Sequence, residues 1–565
     1  MKQPKILLVY ANPMISAIPV APYGMERIAQ SFQLAGCHVT MIAPFIEEAP
    51  LVYLEDYLSE DWSLIGLSVR NIDDALVVRH EEGDTPFDLQ FFLDDVRPLV
   101  VRCIESVGSD KVVVGGTALS SGPLPVLRYL GASIALSGSV DDLCWRIGRG
   151  LVQENKLIWP DDPRVVFSNQ SSVHPHRTAH QYRGFAKEAR LLPAPAARMG
   201  EYLGLTMARG GRVAVAVDAG CDRRCSFCVE AHFMGFDVIE RPVEVVVREI
   251  EQLMSIGVQK FWLATSEINV PNDRYAISLF QALSKLKIDV MTFIQVAPVS
   301  EDLLNSMEDC GLDPTTLSFE FGHLDADLLR KGAGPANRKQ IDALVDLWIK
   351  RGYDTLGGSV LLGAHPEENW KSIDSALDAA LEIDKALPNG LGLAYATGAR
   401  VYPQTTLANW IAEHPEEAKP YMYGVDDPSF VRPVVFSKPT PPRKLLRYVN
   451  RYLSGAKGQM GPMNAEAAYD PIQIQAEALV NRGIWRLQEG SFSQAEKCFR
   501  SSLQLVPQHL EGLAQLAMLL GRNQQRGEEA IHILNRLSLA LPFQDARQSE
   551  IKDMIARIIK RSPPH

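Results

Sequence analysis

Five short apolar runs mark the first 150 residues: KILLVYA (5–11), HVTMIAP (38–44), SLIGLSV (63–69), KVVVGG (111–116) and ASIALSG (132–138). Their apolar positions are consecutive rather than alternating, so each strand is covered on both faces, as in a parallel sheet lying between helices. Helical runs such as Met25–Leu34 and Phe87–Cys103 fall between them. The pattern predicts a doubly wound α/β domain over residues 1–150, with its ligand at the carboxyl ends of the strands. Small and polar residues gather at those ends: Asn12 and Pro13, then Pro22, Tyr23 and Gly24, then Ser68, Arg70 and Asn71. Gly115, Gly116 and Thr117 follow the fourth run, and Ser137, Gly138 and Ser139 the fifth. Glycine there lets a ligand approach the backbone closely, although any α/β domain also needs small residues in its turns.

Periodicity lapses over residues 151–205, which are rich in Pro, Ser, Arg and His and read as a connector. His174, His176 and His180 are spaced like metal ligands, but such a loop patch is more often solvated. A second series of strands begins at RVAVAVDA (212–219) and continues near 259–265, 288–296, 315–321, 356–362 and 389–396. Amphipathic runs separate them. Six such units over residues 206–415 predict a partial parallel β/α barrel with its chemistry at the carboxyl ends of the strands. Residues 416–470, rich in Pro and Gly, read as a closing segment, whose stretch PPRKLLRYVNRYL suggests a helix with a solvated basic face. Residues 471–565 are helical. Gly483, Gly490, Phe492, Ala495, Phe499, Ser502 and Pro507 match the small and aromatic positions of a tetratricopeptide repeat. A weaker copy spans Leu510–Pro542, with Gly521, Ala530 and Leu537 in comparable places, before a last helix at Asp545–Arg561. Two repeats bury too little by themselves, so they are expected to pack against the rest of the chain or to bind a protein partner.

The 565 residues are 46% apolar and 22% charged, with a net charge of −11. An acidic chain without a Lys/Arg run argues against nucleic acid or an anionic membrane as partner. No 18-residue apolar run is present, and MKQPKILLVYANP reads as a strand rather than a signal peptide, so a cytoplasmic protein is expected. Of the eight cysteines, five are scattered singly in apolar segments, as buried free thiols of a reducing compartment would be.

The other three stand together in GCDRRCSFC (220–228): Cys221, Cys225 and Cys228, spaced C-x3-C-x2-C, with Phe227 before the last. Three thiolates so close can take three corners of a 4Fe-4S cluster and leave the fourth iron open to a ligand. A zinc site completed by His232 is the alternative.

At these residues the chain resembles the cobalamin-binding branch of the radical S-adenosyl-L-methionine (SAM) superfamily, over about residues 205–410. The resemblance implies a 4Fe-4S cluster whose open iron chelates the amine and carboxylate of SAM, with Phe227 beside it. It implies Glu267, at the end of KFWLATSEIN, as partner of the SAM amino group by a charge-assisted hydrogen bond. Here TSE replaces the GGE common in relatives. Glu320, ending LSFEFG, falls where relatives contact the ribose, and Gly363, in LLGAHPEE, beside the adenine. GARVYPQTTLA (398–408) resembles a stretch common in cobalamin-type relatives, and makes Tyr402 a catalytic candidate, alongside His323 and His365 as bases or substrate contacts.

The order of domains likewise resembles enzymes with an N-terminal cobalamin-binding domain. Tyr23, Gly24, Ser68, Asn71, Gly115, Gly116, Thr117 and Gly138 are then candidate cobalamin contacts. The D-x-H-x-x-G motif whose His ligates cobalt is missing, so the lower face of the corrin is expected to lack a protein His. Arg70, in GLSVRN, either pairs with Asp73 or Asp74 or lies near that face. There its fixed charge disfavours cobalt(III) and makes methylcobalamin a better methyl donor.

The implied activity is C-methylation, with methyl moving from SAM via methylcobalamin to a substrate carbon, carbon 2 of the tryptophan indole being one acceptor and a peptide another. A flavodoxin- or ferredoxin-like electron donor follows. A rearrangement or ring closure driven by a 5′-deoxyadenosyl radical, and a repeat-bearing scaffold with a structural cluster, are the other readings.

Overall fold

The computed structural model describes residues 3–561 apart from 14–18, 76, 79, 171–199, 232–234, 425, 464–470, 543–544 and 546. His174, His176, His180 and His232 lie outside the described residues.

All five N-terminal runs form strands: β1 Lys5–Tyr10, β2 His38–Ile42, β3 Leu64–Ser68, β4 Val112–Gly115 and β5 Ile134–Leu136. Together with β6 Val165–Phe167 they make one sheet of order β2-β1-β3-β4-β5-β6, parallel except for β6. Ile6, Leu8, Leu64 and Val113 face one layer of helices; Leu7, Val9, Ile65 and Val112 face the other. That two-sided burial is why the runs read as continuous. β6 and the helix Asp141–Glu154 occupy part of the stretch that reads as connector. A three-residue strand is too short to show a period, and it is held by pairing with β5.

The second series gives β7 Val213–Ala216, β8 Asp218–Ala219, β9 Ile239–Glu240, β10 Lys260–Ala264, β11 Asp289–Thr292, β12 Ile294–Gln295, β13 Ser318–Gly322, β14 Leu356–Leu362 and β15 Leu391–Thr397. The arc runs β7-β10-β11, breaks at Phe293, and resumes as β12-β13-β14-β15. It is an open barrel wall of six parallel strand positions. Val213, Val215, Phe261, Leu263, Phe319 and Phe321 face its outer helices. The small antiparallel pair β8–β9 sits at the mouth.

Beyond β15, β16 Ala399–Arg400, β17 Met422–Gly424 and β18 Val434–Phe436 form an antiparallel sheet, and β19 Met460–Pro462 extends the barrel wall beside β15. The helix Pro442–Leu453 presents Lys444, Arg447 and Arg451 to solvent, the basic face expected of it, while Arg443 departs from that face. Arg443 is buried because its guanidinium reaches the carbonyls of His80, Glu82 and Thr85 and the carboxylate of Asp88, at 2.5–2.9 Å. It thereby pins a loop of the N-terminal domain, whose Val77 and Val78 enter the barrel core.

The C-terminal helices pair as the repeat spacing predicts. Pro471–Gln488 lies against Phe492–Leu505, and Leu510–Leu520 against Gly527–Ala540, before the last helix Arg547–Arg561. Gly483 has to be small, since a Cβ there would lie 2.4 Å from the Phe499 ring. The helices dock on the N-terminal domain. Tyr10 meets Tyr202 edge-on at 5.5 Å, and Tyr202 meets Trp485 at 6.2 Å. Arg486 pairs with Glu47 at 2.6 Å. One apolar core thus runs from the sheet through Tyr202 to Phe499 and Leu513. Among the described residues no helix is long and apolar enough to cross a membrane.

Candidate functional site

The carboxyl ends of β1, β3, β4 and β5 face the barrel wall across a cavity of about 530 Å³. Tyr23, Gly24, Ser68, Arg70, Gly115, Gly116, Thr117 and Gly138 line its N-terminal side. The opposite wall is Ala214 and Ala216 of β7, Asp218 of β8, and Trp262 and Ala264 of β10. Asn71 does not line it. Much of the surface is aliphatic, from Leu8, Met25, Val113, Val114 and Leu136. A wide slot between two sheets, apolar on its walls and fringed with polar groups, suits a large flat ligand that carries hydrogen-bonding substituents.

Gly116 sets the floor. Its φ is +102°, and a Cβ would lie 2.3 Å from the Val69 carbonyl oxygen. Gly116→Ala is expected to displace this loop and destabilise the protein by about 1–3 kcal/mol in denaturant unfolding, since both the backbone region and the contact forbid the side chain. The next residue, Thr117, donates its hydroxyl to the Arg70 carbonyl at 2.5 Å and fixes the backbone there.

Arg70 makes neither of the ion pairs open to it in sequence. Asp73 binds Arg400, and Asp74 accepts the Gln90 N–H. The Arg70 charge instead acts on the buried phenol of Tyr202, opposing the rise that burial imposes on it. Among the described residues, none that lines the cavity is a histidine.

The cysteine loop follows β8 at the barrel mouth. Gly220 permits the turn: its φ is +101°, and a Cβ would lie 2.2 Å from the Asp237 carbonyl oxygen. The Cys221 N–H donates to Gly235, the Ser226 N–H to Gly332, and the Leu407 N–H to Ser226. Phe227 packs on an apolar cluster containing Val401, Leu407 and Phe436, which anchors the loop. All three cysteines are half-buried. Burial pushes the thiols of Cys221 and Cys228 up to about 11 and that of Cys225 higher, and neighbouring thiols and carboxylates add to the rise. Thiols that so resist ionisation are matched by a group that brings its own positive charge, as iron does. In a cube, each thiolate holds a different corner. The residues therefore fit a 4Fe-4S cluster.

Carboxylates surround this loop. The TSE segment divides its work: Thr265 donates to Asp218 at 2.8 Å and Ser266 to Glu230 at 3.1 Å. Glu267 Oε2 is buried without a hydrogen-bond partner. Burial first, then Glu320 and Glu230, push the Glu267 carboxyl up to about 8. Glu320 accepts the Gly322 N–H at 2.7 Å and the Ser359 hydroxyl at 2.8 Å. Carboxylates gathered in this way beside the cysteine loop suit a cationic ligand, such as an ammonium or sulfonium.

The remaining candidates sit in hydrogen-bonded networks. His323 is fully buried on Glu368 at 3.2 Å, and Glu368 also accepts the N–H groups of Gly363 and His365. His365 meets the Lys331 carbonyl at 3.3 Å, and burial lowers its pKa. Gly363 thus serves a buried network tying β14 to the helix that follows it. Tyr402 donates to Asp73 at 3.2 Å, and burial raises its phenol well above the usual range. The same Asp73 is paired with Arg400, so the Tyr402 hydroxyl, a catalytic candidate in the sequence, sits at a buried ion pair. Sequence reasoning also passed over Asp218 and Arg241. The signal for Asp218 was a charge ending the apolar strand of RVAVAVDAGC.

Residues 217–380 match the family model of the radical SAM superfamily. A tryptophan 2-C-methyltransferase of Streptomyces laurentii is 21% identical over 465 residues, 71% of this chain and 74% of that protein. The fold is similar to that of the radical S-adenosylmethionine methyltransferase TsrM from Kitasatospora setae, solved with cobalamin and its 4Fe-4S cluster. That match has a TM-score of 0.67 at 19% identity, over 88% of this chain and 100% of that one. The same enzyme has been solved with tryptophan and a SAM analogue. The cobalamin-dependent radical enzyme OxsB, solved with aqua-cobalamin and SAM, is similar at a TM-score of 0.58 and 12% identity, over 99% of this chain and 84% of that one.

Proposed function

We infer, from a radical SAM core at residues 217–380, that this chain is a cobalamin-dependent radical SAM C-methyltransferase. The observation that carries the reading is the cavity between the two sheets: it bears Arg70, has no histidine among its described lining residues, and ends on Asp218, three residues before Cys221. When bound there, cobalamin supplies a cobalt centre that takes a methyl group from SAM and hands it to carbon.

Cys221, Cys225 and Cys228 hold the cluster, and Glu267, with an unpaired buried oxygen, receives the SAM ammonium. Gly115, Gly116 and Thr117 cradle the corrin from the side of the N-terminal sheet. Arg70 would hold a fixed positive charge on that side of the cavity, which disfavours a more positive metal centre there and so would favour release of the methyl group. The substrate enters from the barrel side, where Trp262 and Phe293 meet edge-on at 5.7 Å. An aromatic carbon nucleophile suits that wall, and carbon 2 of the tryptophan indole is the specific acceptor proposed, by likeness to the Streptomyces laurentii enzyme.

Arg70→Ala and Arg70→Lys test the reading. Methyl transfer is expected to slow at least about tenfold, a loss of about 1.4 kcal/mol of transition-state stabilisation. Cobalamin affinity is expected to stay within about threefold. Turnover equal to that of the parent chain contradicts the role given to Arg70.

A further inference from the structure

Methylation of an aromatic carbon needs a base, and the candidates read from sequence are engaged in buried contacts. We propose that Asp218 is the general base, accepting the proton that the substrate carbon loses; this rests on the methyl-transfer reading above. The carbon–methyl bond forms while the electron pair of the donor–methyl bond stays with the corrinoid donor. The carbon–hydrogen bond then breaks, its electrons return to the ring, and the proton goes to Asp218 Oδ1.

Placement carries the assignment. Asp218 ends the barrel wall of the cavity at 7% exposure. It sits at the join between the slot that faces the N-terminal sheet and the loop that carries the cysteines. Its two oxygens differ. Oδ2 accepts the Thr265 hydroxyl at 2.8 Å, which fixes the side-chain rotamer. Oδ1 is buried with no hydrogen-bond partner. A buried oxygen without a partner costs about 1–3 kcal/mol unless a ligand completes it, so its presence beside a cavity is a functional signature.

The surroundings poise the group. Burial pushes the carboxyl up to about 7, and Glu240, opposite on β9, and Glu230, beyond the cysteines, push the same way. Glu267 faces it from the end of β10. The neighbouring cation, Arg241, is turned away to the Ala216 carbonyl and to Glu249. On the N-terminal side, Arg27 and Asp141 lie 3.6 Å apart and offset each other. A base whose pKa lies near the working pH combines availability with driving force.

The test compares the full-length protein with Asp218→Asn, which keeps the shape and can still accept from Thr265. Without cofactors, melting temperature is followed from pH 5 to 8.5. The folded-state pKa is raised, so ionisation opposes folding, and the parent chain loses stability relative to the variant as pH rises through about 7. A relative fall of at least about 2 °C is expected.

With cluster, cobalamin, SAM and tryptophan, formation of S-adenosylhomocysteine in a first turnover stays within about twofold of the parent. Formation of methylated tryptophan falls at least about a hundredfold and loses the acid limb of its pH profile. Methylated product within about threefold of the parent, an unchanged acid limb, or melting curves that keep a constant offset each overturn the assignment. If the parent chain itself yields no methylated tryptophan, the methyl-transfer reading falls and the assignment with it. If the parent works and only the variant's first turnover fails, Asp218 serves SAM rather than the proton, and the assignment alone falls.

Discussion

Cys225→Ala leaves a folded protein that has lost its iron and makes no product above about a thousandth of the parent rate. Two thiolates cannot hold a cube that already has one open corner, and the SAM chelated by that corner loses its anchor. The fold survives because backbone and packing shape the loop independently of the thiol: Ser226 N–H on Gly332, Leu407 N–H on Ser226, and Phe227 on the cluster around Val401. Cys310→Ala is the control. Cys310 is buried in the barrel core, so its loss opens a small cavity and leaves the iron content alone. Iron and sulfide assays after anaerobic reconstitution, with far-ultraviolet circular dichroism for folding, check both. Full iron in Cys225→Ala removes that thiolate from the ligand set.

Asp73→Asn destabilises the chain by about 3–5 kcal/mol, the cost of leaving a buried cation without its counter-charge. The Arg400 and Asp73 side chains are 2% and 0% exposed, and they meet at 2.7 Å across the seam between the N-terminal domain and the barrel. Arg400 keeps its bonds to the Val401, Phe430 and Val431 carbonyls, so its charge stays buried when the carboxylate goes. The asparagine oxygen can still accept from Tyr402, so the loss falls on the ion pair. The double variant Asp73→Asn with Arg400→Met recovers part of the loss, because no unpaired charge remains. Denaturant unfolding monitored by fluorescence reads both. A loss under about 1 kcal/mol for Asp73→Asn shows that the seam is hydrated in solution.

The strands were legible because burial on both faces writes itself as an unbroken apolar run, as in KILLVY and KVVVG. The cysteine loop was legible because its ligands are adjacent in sequence. Gly116 and Thr117 were legible as strand-end residues, and the structure puts both on the cavity wall. What stayed hidden is what joins distant segments. Nothing near Arg443 announces that its guanidinium fills a ring of carbonyls more than 350 residues away. Tyr402 looked free because its partner, Asp73, lies in another domain. His323 and His365 were candidates because the partners of their rings, Glu368 for the one and the Lys331 carbonyl for the other, are distant or unremarkable in sequence. Asp218 looked like a strand terminus, and only the orphaned Oδ1 beside the cavity sets it apart. A pattern within a dozen residues reports burial and backbone form; it does not report which polar groups meet across a fold.

The fate of SAM tests the central claim most directly. The protein is purified anaerobically, reconstituted with iron, sulfide and cobalamin, and given reductant, SAM and tryptophan, and the products are read by mass spectrometry. The account predicts S-adenosylhomocysteine and methylated tryptophan, dependent on cobalamin, with no 5′-deoxyadenosine. Abundant 5′-deoxyadenosine without a methylated product contradicts it and places the chain among radical-generating enzymes acting on another substrate.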